Sequence, residues 1–348
     1  MSDAARDSRP GLIRSVVHRL AGEQRELPVE GRLASFDGAT GWLNSDPVTP
    51  EGLRGRVVLV DFWTYTCVNW LRTLPYLRAW AAKYRDDGLT VIGVHTPEFD
   101  FEGNIDNVVT HSRSLGVEYP IAVDSDYAVW SAFANHFWPA VYIADQEGRI
   151  RFHHFGEGEY PMTEMVIQQL LPEAGTDGID QELVMVEPRG LEVAADWQTL
   201  QSPETYVGYN QSTGFAQESV ASFDEPRVYT LPERLRLNSW GLSGTWTVAG
   251  HAAVLHEPGG RIAFQFHARD VNLVMGPSSR GASIPFRVFV DGQLAKDAHG
   301  SDVDPVGSGI VSSQRTYQLI RQPGAFADRL FEVEILDAGV EAYCFTFG

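Results

Sequence analysis

Two mostly apolar runs, at 57–63 (unbroken but for Asp61) and 89–95, stand out first along the chain. Runs of this kind read as strands buried on both faces, as parallel strands are. Between them Leu71, Leu74, Leu77 and Trp80 recur at three-residue steps, which predicts a core-facing helix from Cys67 to about residue 85, kinked at Pro75. Ile105, Val108, Val109 and Ser112 predict a second helix over 101–115, with Gly116 as its stop. A short strand at 120–123 and a short helix at 127–134 follow. Segments 140–144 and 149–155 make a hairpin around Asp145-Gln146-Glu147-Gly148, and 162–171 is a closing helix with Pro172 beyond it. Upstream, 28–50 is rich in Gly, Asp, Asn and Pro and suits a short hairpin leading into the core.

After residue 206 the texture changes. Helical periodicity fades, and alternating segments at 262–267, 271–275, 286–290, 316–320 and 331–335 take over, separated by turns such as Asp291-Gly292 and Pro323-Gly324. That spacing predicts a β-sandwich. The expected organisation is a loose polar arm at 1–27, an α/β domain at 28–172, a linker at 173–203 and an all-β sandwich at 204–348.

At 348 residues the chain is long enough for two full cores, and 43% hydrophobic with 21% charged residues is ordinary for a globular protein. The formal charge of −19 argues against nucleic acid or an anionic membrane as partner, since both need a basic surface. The apolar piece at 12–20 is broken by Arg14, His18 and Arg19, so no export signal is read there, and no run approaches the roughly 18 apolar residues of a membrane helix. The expected location is therefore cytoplasmic, where a reactive thiol is more natural than a structural disulfide.

There are two cysteines, Cys67 and Cys344. The first predicted strand ends at Trp63, residues 64–66 turn the chain, and Cys67 opens the predicted helix. There the helix's unpaired N–H groups and positive dipole end favour a thiolate. A thiol of ordinary pKa near 8.5 is about 3% ionised at pH 7, whereas one lowered to about 7 is roughly half ionised. The plainer alternative is a cysteine packing as a small hydrophobe.

These residues resemble the thioredoxin superfamily. Asp61 lies six positions before the cysteine, where that family carries a buried acid, and Pro75 lies eight after it, where its active-site helix kinks. Trp138-Pro139 matches the cis-proline that faces the active site. The chain is most similar to TlpA-like and DipZ-type thiol-disulfide oxidoreductases through Phe62-Trp63-Thr64-Tyr65-Thr66-Cys67, Gly93-Val94-His95-Thr96-Pro97-Glu98-Phe99 and Phe155-Gly156-Glu157-Gly158, over about residues 27–348. The resemblance implies an α/β thioredoxin fold with the TlpA-like helical insertion, then a sandwich similar to a carbohydrate-binding module, matched at Pro203-Glu204-Thr205-Tyr206-Val207-Gly208 and Tyr343-Cys344-Phe345-Thr346-Phe347-Gly348. The membrane electron-relay portion of DipZ-type proteins is not among these residues, in keeping with the cytoplasmic expectation. One departure matters most. The family's Cys-x-x-Cys reads Cys67-Val68-Asn69-Trp70, so the motif closes no local disulfide. What remains is a mixed disulfide, or a sulfenic acid resolved by another thiol.

The other candidates carry two readings each. Asp61 is a proton-exchange partner for the thiol or a buried structural acid. Trp138 and Pro139 present backbone groups beside Cys67, or merely begin a strand. Trp70 caps the thiol and shapes a slot, or, the reading preferred here, simply packs. Tyr65, His95 and Glu98 are weaker lining candidates. Cys344 reads first as a buried, inert thiol and second as the residue that resolves oxidised Cys67, which needs Cα atoms within about 7 Å. No cofactor and no metal site are expected: His153 and His154 point to opposite strand faces, His251 and His256 lack partners at ligand spacing, and Asp302 and Asp304 fit a turn better than a calcium loop. Thr64 stands three before the cysteine as in peroxiredoxins, but Val60 replaces their proline.

The function expected is a single-cysteine oxidoreductase that attacks a disulfide- or thiol-containing substrate through Cys67 and is reset by an external thiol. The alternatives are a peroxide-reducing or peroxide-sensing thiol, and a non-catalytic thioredoxin domain joined to a glycan- or peptide-binding sandwich with Trp197, Trp240 and Trp246 as stacking faces.

Overall fold

A computed structural model describes residues 26–217, 221–324 and 326–348; nearly all of the expected N-terminal arm lies outside the described residues. The described chain forms two compact units. The first contains residues 26–64, Tyr76–Glu98 and Glu102–Val186; the second contains Tyr65–Pro75, Phe99–Phe101 and Glu187–Gly348.

In the first unit, β1 (Gly31–Arg32), β2 (Gly41–Leu43), β3 (Val57–Trp63), β4 (Leu89–His95), β5 (Ile121–Val123), β6 (Ala140–Ala144) and β7 (Arg149–Phe155) form one sheet in the order β1-β7-β6-β3-β4-β5-β2. β3, β4 and β5 run parallel, while β6 is antiparallel to β3 and β7 to β6. The helices are α1 (Val68–Lys83), α2 (Ile105–Ser114), α3 (Ala128–Ala132) and α4 (Tyr160–Glu173). This order, with its antiparallel finish, is a thioredoxin-like fold. All seven residues of β3 are buried, the apolar six as their run predicts and Asp61 among them. Leu71, Leu74, Leu77 and Trp80 of α1 are buried as well. Gly93 in β4 makes room for Trp63, since a Cβ there would lie 2.7 Å from the indole Nε1. At the far end of α1, Tyr84 donates to Glu164 Oε1 at 2.7 Å and accepts from Gln168 Nε2 at 2.9 Å, which joins α4 to that end.

Three local expectations need correction. The segment 28–50 is not a hairpin: β1 pairs with β7 and β2 with β5, at opposite edges of the sheet. Strands of two and three residues gain little from each other and more from the open edge of a formed sheet. The helix predicted over 101–115 splits into a 3₁₀ turn, Asp100–Gly103, and α2, because the Asn104 side chain accepts from the Asp106 N–H and caps a fresh start. Ile105, expected on the buried stripe, is exposed. Pro172 lies inside α4 rather than past it; in a final turn its missing N–H forfeits a single bond.

The second unit holds β8 (Thr205–Tyr206), β9 (Arg227–Tyr229), β10 (Trp240–Val248), β11 (Ala253–Leu255), β12 (Gly260–Phe266), β13 (Asp270–Pro277), β14 (Ile284–Val290), β15 (Gln293–Leu294), β16 (Ser308–Val311), β17 (Arg315–Arg321), β18 (Arg329–Ile335) and β19 (Val340–Phe347). Their main path is β15-β14-β18-β12-β10-β11-β19-β13-β17. β10 serves both halves of this curled sandwich: its first residues pair with β12 and its last with β11. The corner is Gly244, at φ +96°, where a Cβ would meet the Gly260 Cα at 2.9 Å. The inner faces close on Trp240, Trp246, Phe264, Phe286, Phe331 and Phe345. Trp240 and Trp246 are thus fully buried core and cannot serve as the sugar-stacking faces suggested for them; Trp197 is exposed.

One outer row of this sandwich bears on the site. Thr316 on β17 stands opposite Val274 on β13, Val274 opposite Cys344 on β19, and Cys344 opposite Tyr206 on β8. Thr316, Val274 and Cys344 are each 2% exposed. Phe99 and Phe101, which belong to the same unit, pack into the apolar cluster containing Val274, Tyr343 and Cys344.

Candidate active site

Cys67 occupies the position between a strand and a helix that its sequence context predicts. The chain leaves β3 at Trp63, residues 64–66 turn, and α1 begins at Val68. The Cys67 carbonyl accepts from the Leu71 N–H at 3.0 Å, so the residue is the helix N-cap. No acidic side chain sits in the first turn of α1 to compete for its positive end. Cys67 forms no disulfide and is half-buried. Cys344 forms no disulfide either, but it is sealed among Phe99, Val274 and Tyr343, with its Sγ 3.4 Å from the Phe345 carbonyl. Trp70 is fully buried, as packing requires.

Within the second unit the turn is held at two points. Thr316 Oγ1 donates to the Thr66 carbonyl at 2.6 Å, and Arg72 Nη2 donates to the Phe347 carbonyl at 3.0 Å. Thr66, Arg72 and Thr316 are all buried. The Tyr65 ring lies 6.2 Å from that of Phe101.

Asp61, Trp138 and Pro139 belong to the first unit, whereas Cys67, Trp70 and Cys344 belong to the second. Asp61 is fully buried in the middle of β3. The Trp138–Pro139 bond is cis, and the Pro139 carbonyl accepts from the Gly156 N–H at 2.8 Å. Trp138 Nε1 donates to the Thr96 carbonyl at 3.1 Å, and its indole lies 4.3 Å from that of Trp130. Beneath these sits Asp124. Its carboxylate accepts from the Val129 and Trp130 N–H groups, both at 2.8 Å, and from the Thr96 hydroxyl at 3.0 Å. Burial raises its pKa above the ordinary aspartate value, although these hydrogen bonds pull the other way. Thr96, Asp124 and Trp130 were not singled out in the sequence. The available signal was an aspartate just ahead of a short helix, a cap-like pattern.

His95 is core rather than lining. Its ring meets Trp63 edge-on at 4.7 Å, and burial pulls its pKa down to about 3, so it stays neutral. Tyr65 is buried, and the Glu98 N–H donates to Glu102 Oε2. Among the described residues no cluster of three His, Cys, Asp or Glu side chains suits a metal. Asp302 accepts from Arg315 and from the Gln318 N–H, and Asp304 closes a turn by accepting from the Val306 and Ser308 N–H groups. No helix among the described residues is long and apolar enough to cross a membrane.

The strand order and helices define a thioredoxin-like protein. The AhpC/TSA family matches residues 35–153, and the thioredoxin-like C-terminal domain family matches residues 202–348. Protein DipZ of Mycobacterium tuberculosis is 38% identical over 251 residues, which cover 71% of this chain and 35% of DipZ. Thiol-disulfide oxidoreductase YkuV of Bacillus subtilis is 31% identical over 142 residues, 40% of this chain and 95% of YkuV. The solution structure of a thioredoxin-like protein in the oxidised form matches with 29% identity over 42% of this chain and 99% of that one, at a TM-score of 0.39. The chain belongs to the thioredoxin-like thiol-disulfide oxidoreductase family, and it spans about a third of the length of DipZ.

Proposed function

We propose that this protein is a single-cysteine thiol-disulfide oxidoreductase acting through Cys67. The observation that carries the proposal is the contrast in burial between two cysteines: one half-buried at the N-cap of a sixteen-residue helix, the other sealed in an apolar cluster. In the first step the Cys67 thiolate attacks one sulfur of a substrate disulfide. The substrate S–S bond breaks, a Cys67 mixed disulfide forms, and the departing thiolate takes up a proton. With Trp70 in place of the motif's second cysteine, release falls to an external small thiol. Its thiolate attacks the mixed disulfide on the substrate sulfur, returning Cys67 as thiolate and leaving substrate and small thiol joined. No cofactor enters. In this reading residues 28–172 are the redox domain, 173–203 the linker and 204–348 the sandwich, and the reactive thiol works in a reducing, cytoplasm-like compartment.

A second reading is favoured by the AhpC/TSA match over 35–153. The same thiolate attacks a peroxide oxygen, the O–O bond breaks, the alcohol or water leaves, and Cys67 becomes a sulfenic acid that two external thiols return to the thiol as water and a disulfide. The rate of alkylation against pH tests both. A midpoint at Cys67 below about 7.5 is the expected result, and one near 9 overturns both readings. Trapping with a sulfenic-acid reagent after peroxide then separates them.

A further inference from the structure

We propose that Thr316, 250 residues away in sequence, is a positioning residue that tunes the Cys67 thiol through the Thr66–Cys67 peptide group. This rests on Cys67 being the reactive thiol. The Thr66 carbonyl and the Cys67 N–H belong to one planar amide. The Thr316 hydroxyl donates to that carbonyl at 2.6 Å, with both residues almost wholly buried. A short hydrogen bond in a water-poor setting polarises the amide it joins, so the N–H on its far side becomes a stronger partial positive charge. That N–H belongs to the residue bearing the thiol, at the end of α1 where a thiolate is already favoured. The bond also fixes the plane of the amide, and so the direction from which the helix receives Cys67.

The face on which Thr316 stands shows that this hydroxyl is chosen for what it meets outside the sheet. Asn272 and Thr346, a neighbouring pair on the same side, bond each other, with Asn272 Nδ2 donating to Thr346 Oγ1 at 3.3 Å. Gln318 Oε1 accepts from the Ser301 N–H within the sandwich. Thr316 alone in this group spends its hydroxyl on the redox turn. Five residues after Cys67, the buried Arg72 guanidinium donates to the Phe347 carbonyl, so the start of α1 is held at a second point.

The test uses the full chain with Thr316→Val, which keeps the shape and removes the donor, and Thr316→Ser, which keeps the donor. Alkylation of Cys67 is followed from pH 5 to 10, with Cys344 protected by its burial and checked by peptide mapping. Thr316→Val is expected to move the midpoint up by about 0.5 pH unit and slow alkylation at pH 7 about threefold, while Thr316→Ser matches the parent. A Thr316→Val midpoint equal to the parent's, whatever the change in melting temperature, overturns the proposal and leaves Thr316 a structural contact. Should Thr316→Val not fold, Thr316→Ala carries the same comparison. A parent midpoint near 9 instead sinks the underlying assignment of Cys67, so the two failures are told apart.

Discussion

At the scale of single residues, the two cysteines differ in exposure, and the proposed roles follow that difference. Cys67→Ser is expected to lower disulfide-exchange turnover at least about a hundredfold, and Cys344→Ala to leave it unchanged, measured with a small aromatic disulfide and an added thiol. Peptide mapping under non-reducing conditions after mild peroxide should then show Cys67 joined to the added thiol. Recovery of a Cys67–Cys344 peptide would instead make Cys344 the resolving residue. Trp70, fully buried, is a packing residue first. Trp70→Ala should cost about 3–5 kcal/mol of stability, read as a lower urea midpoint, without moving the alkylation midpoint of Cys67. A shift in that midpoint would restore Trp70 as a cap on the thiol.

At the scale of elements, the cis Trp138–Pro139 bond is flanked by α3, the Thr96 turn and Asp124, whose carboxylate serves three donors. Asp124→Ala leaves two helix N–H groups without an acceptor and should cost about 2–3 kcal/mol; unchanged chemical denaturation would show that water replaces it at no cost. Much of this level was legible from pattern alone. β3 and β4 carry mostly apolar runs because both faces are covered, and sandwich strands such as β14 and β18 alternate because only one face meets the core. What escaped was set by distant partners. β1 and β2 are too short to announce which edge they seek, and Asp124 resembles a turn aspartate until Thr96 and Trp130 are brought to it. Trp240 and Trp246 carry no local sign that distinguishes a core tryptophan from a ligand platform. For the site, Cys67 could be read from strand, turn and helix, whereas Thr316 could not, because nothing near residue 316 refers to residue 66.

At the scale of the whole molecule, charge pairs tie irregular segments to the sandwich. Asp270 is buried between Arg321, at 2.8 Å, and Arg269, at 2.7 Å, and these arginines donate onward to the Gly190 and Ala194 carbonyls. Burial raises the Asp270 pKa, but the arginines outweigh it and hold the carboxyl below its ordinary value of 3.8. A carboxyl whose folded pKa is depressed adds stability that is complete above the unfolded value and is lost as pH falls through the folded one. Stability should therefore drop below about pH 4, and cleavage by an acid-tolerant protease should rise around residues 187–203. Asp270→Asn should flatten that acid limb; an unchanged limb would assign the loss to other carboxylates such as Asp145, which burial raises but which hydrogen bonds from Arg149 and Arg151 bring to a net lowered value.

The hydroxyl that grips the Thr66 carbonyl is encoded 250 residues downstream of it. A ribosome adding 5–20 residues each second needs about 12–50 s to cover that distance. On the proposal that Thr316 tunes Cys67, maturation of the thiol waits until β17 has been made, and a stalled or truncated product that ends before β17 carries its sulfur in an untuned setting.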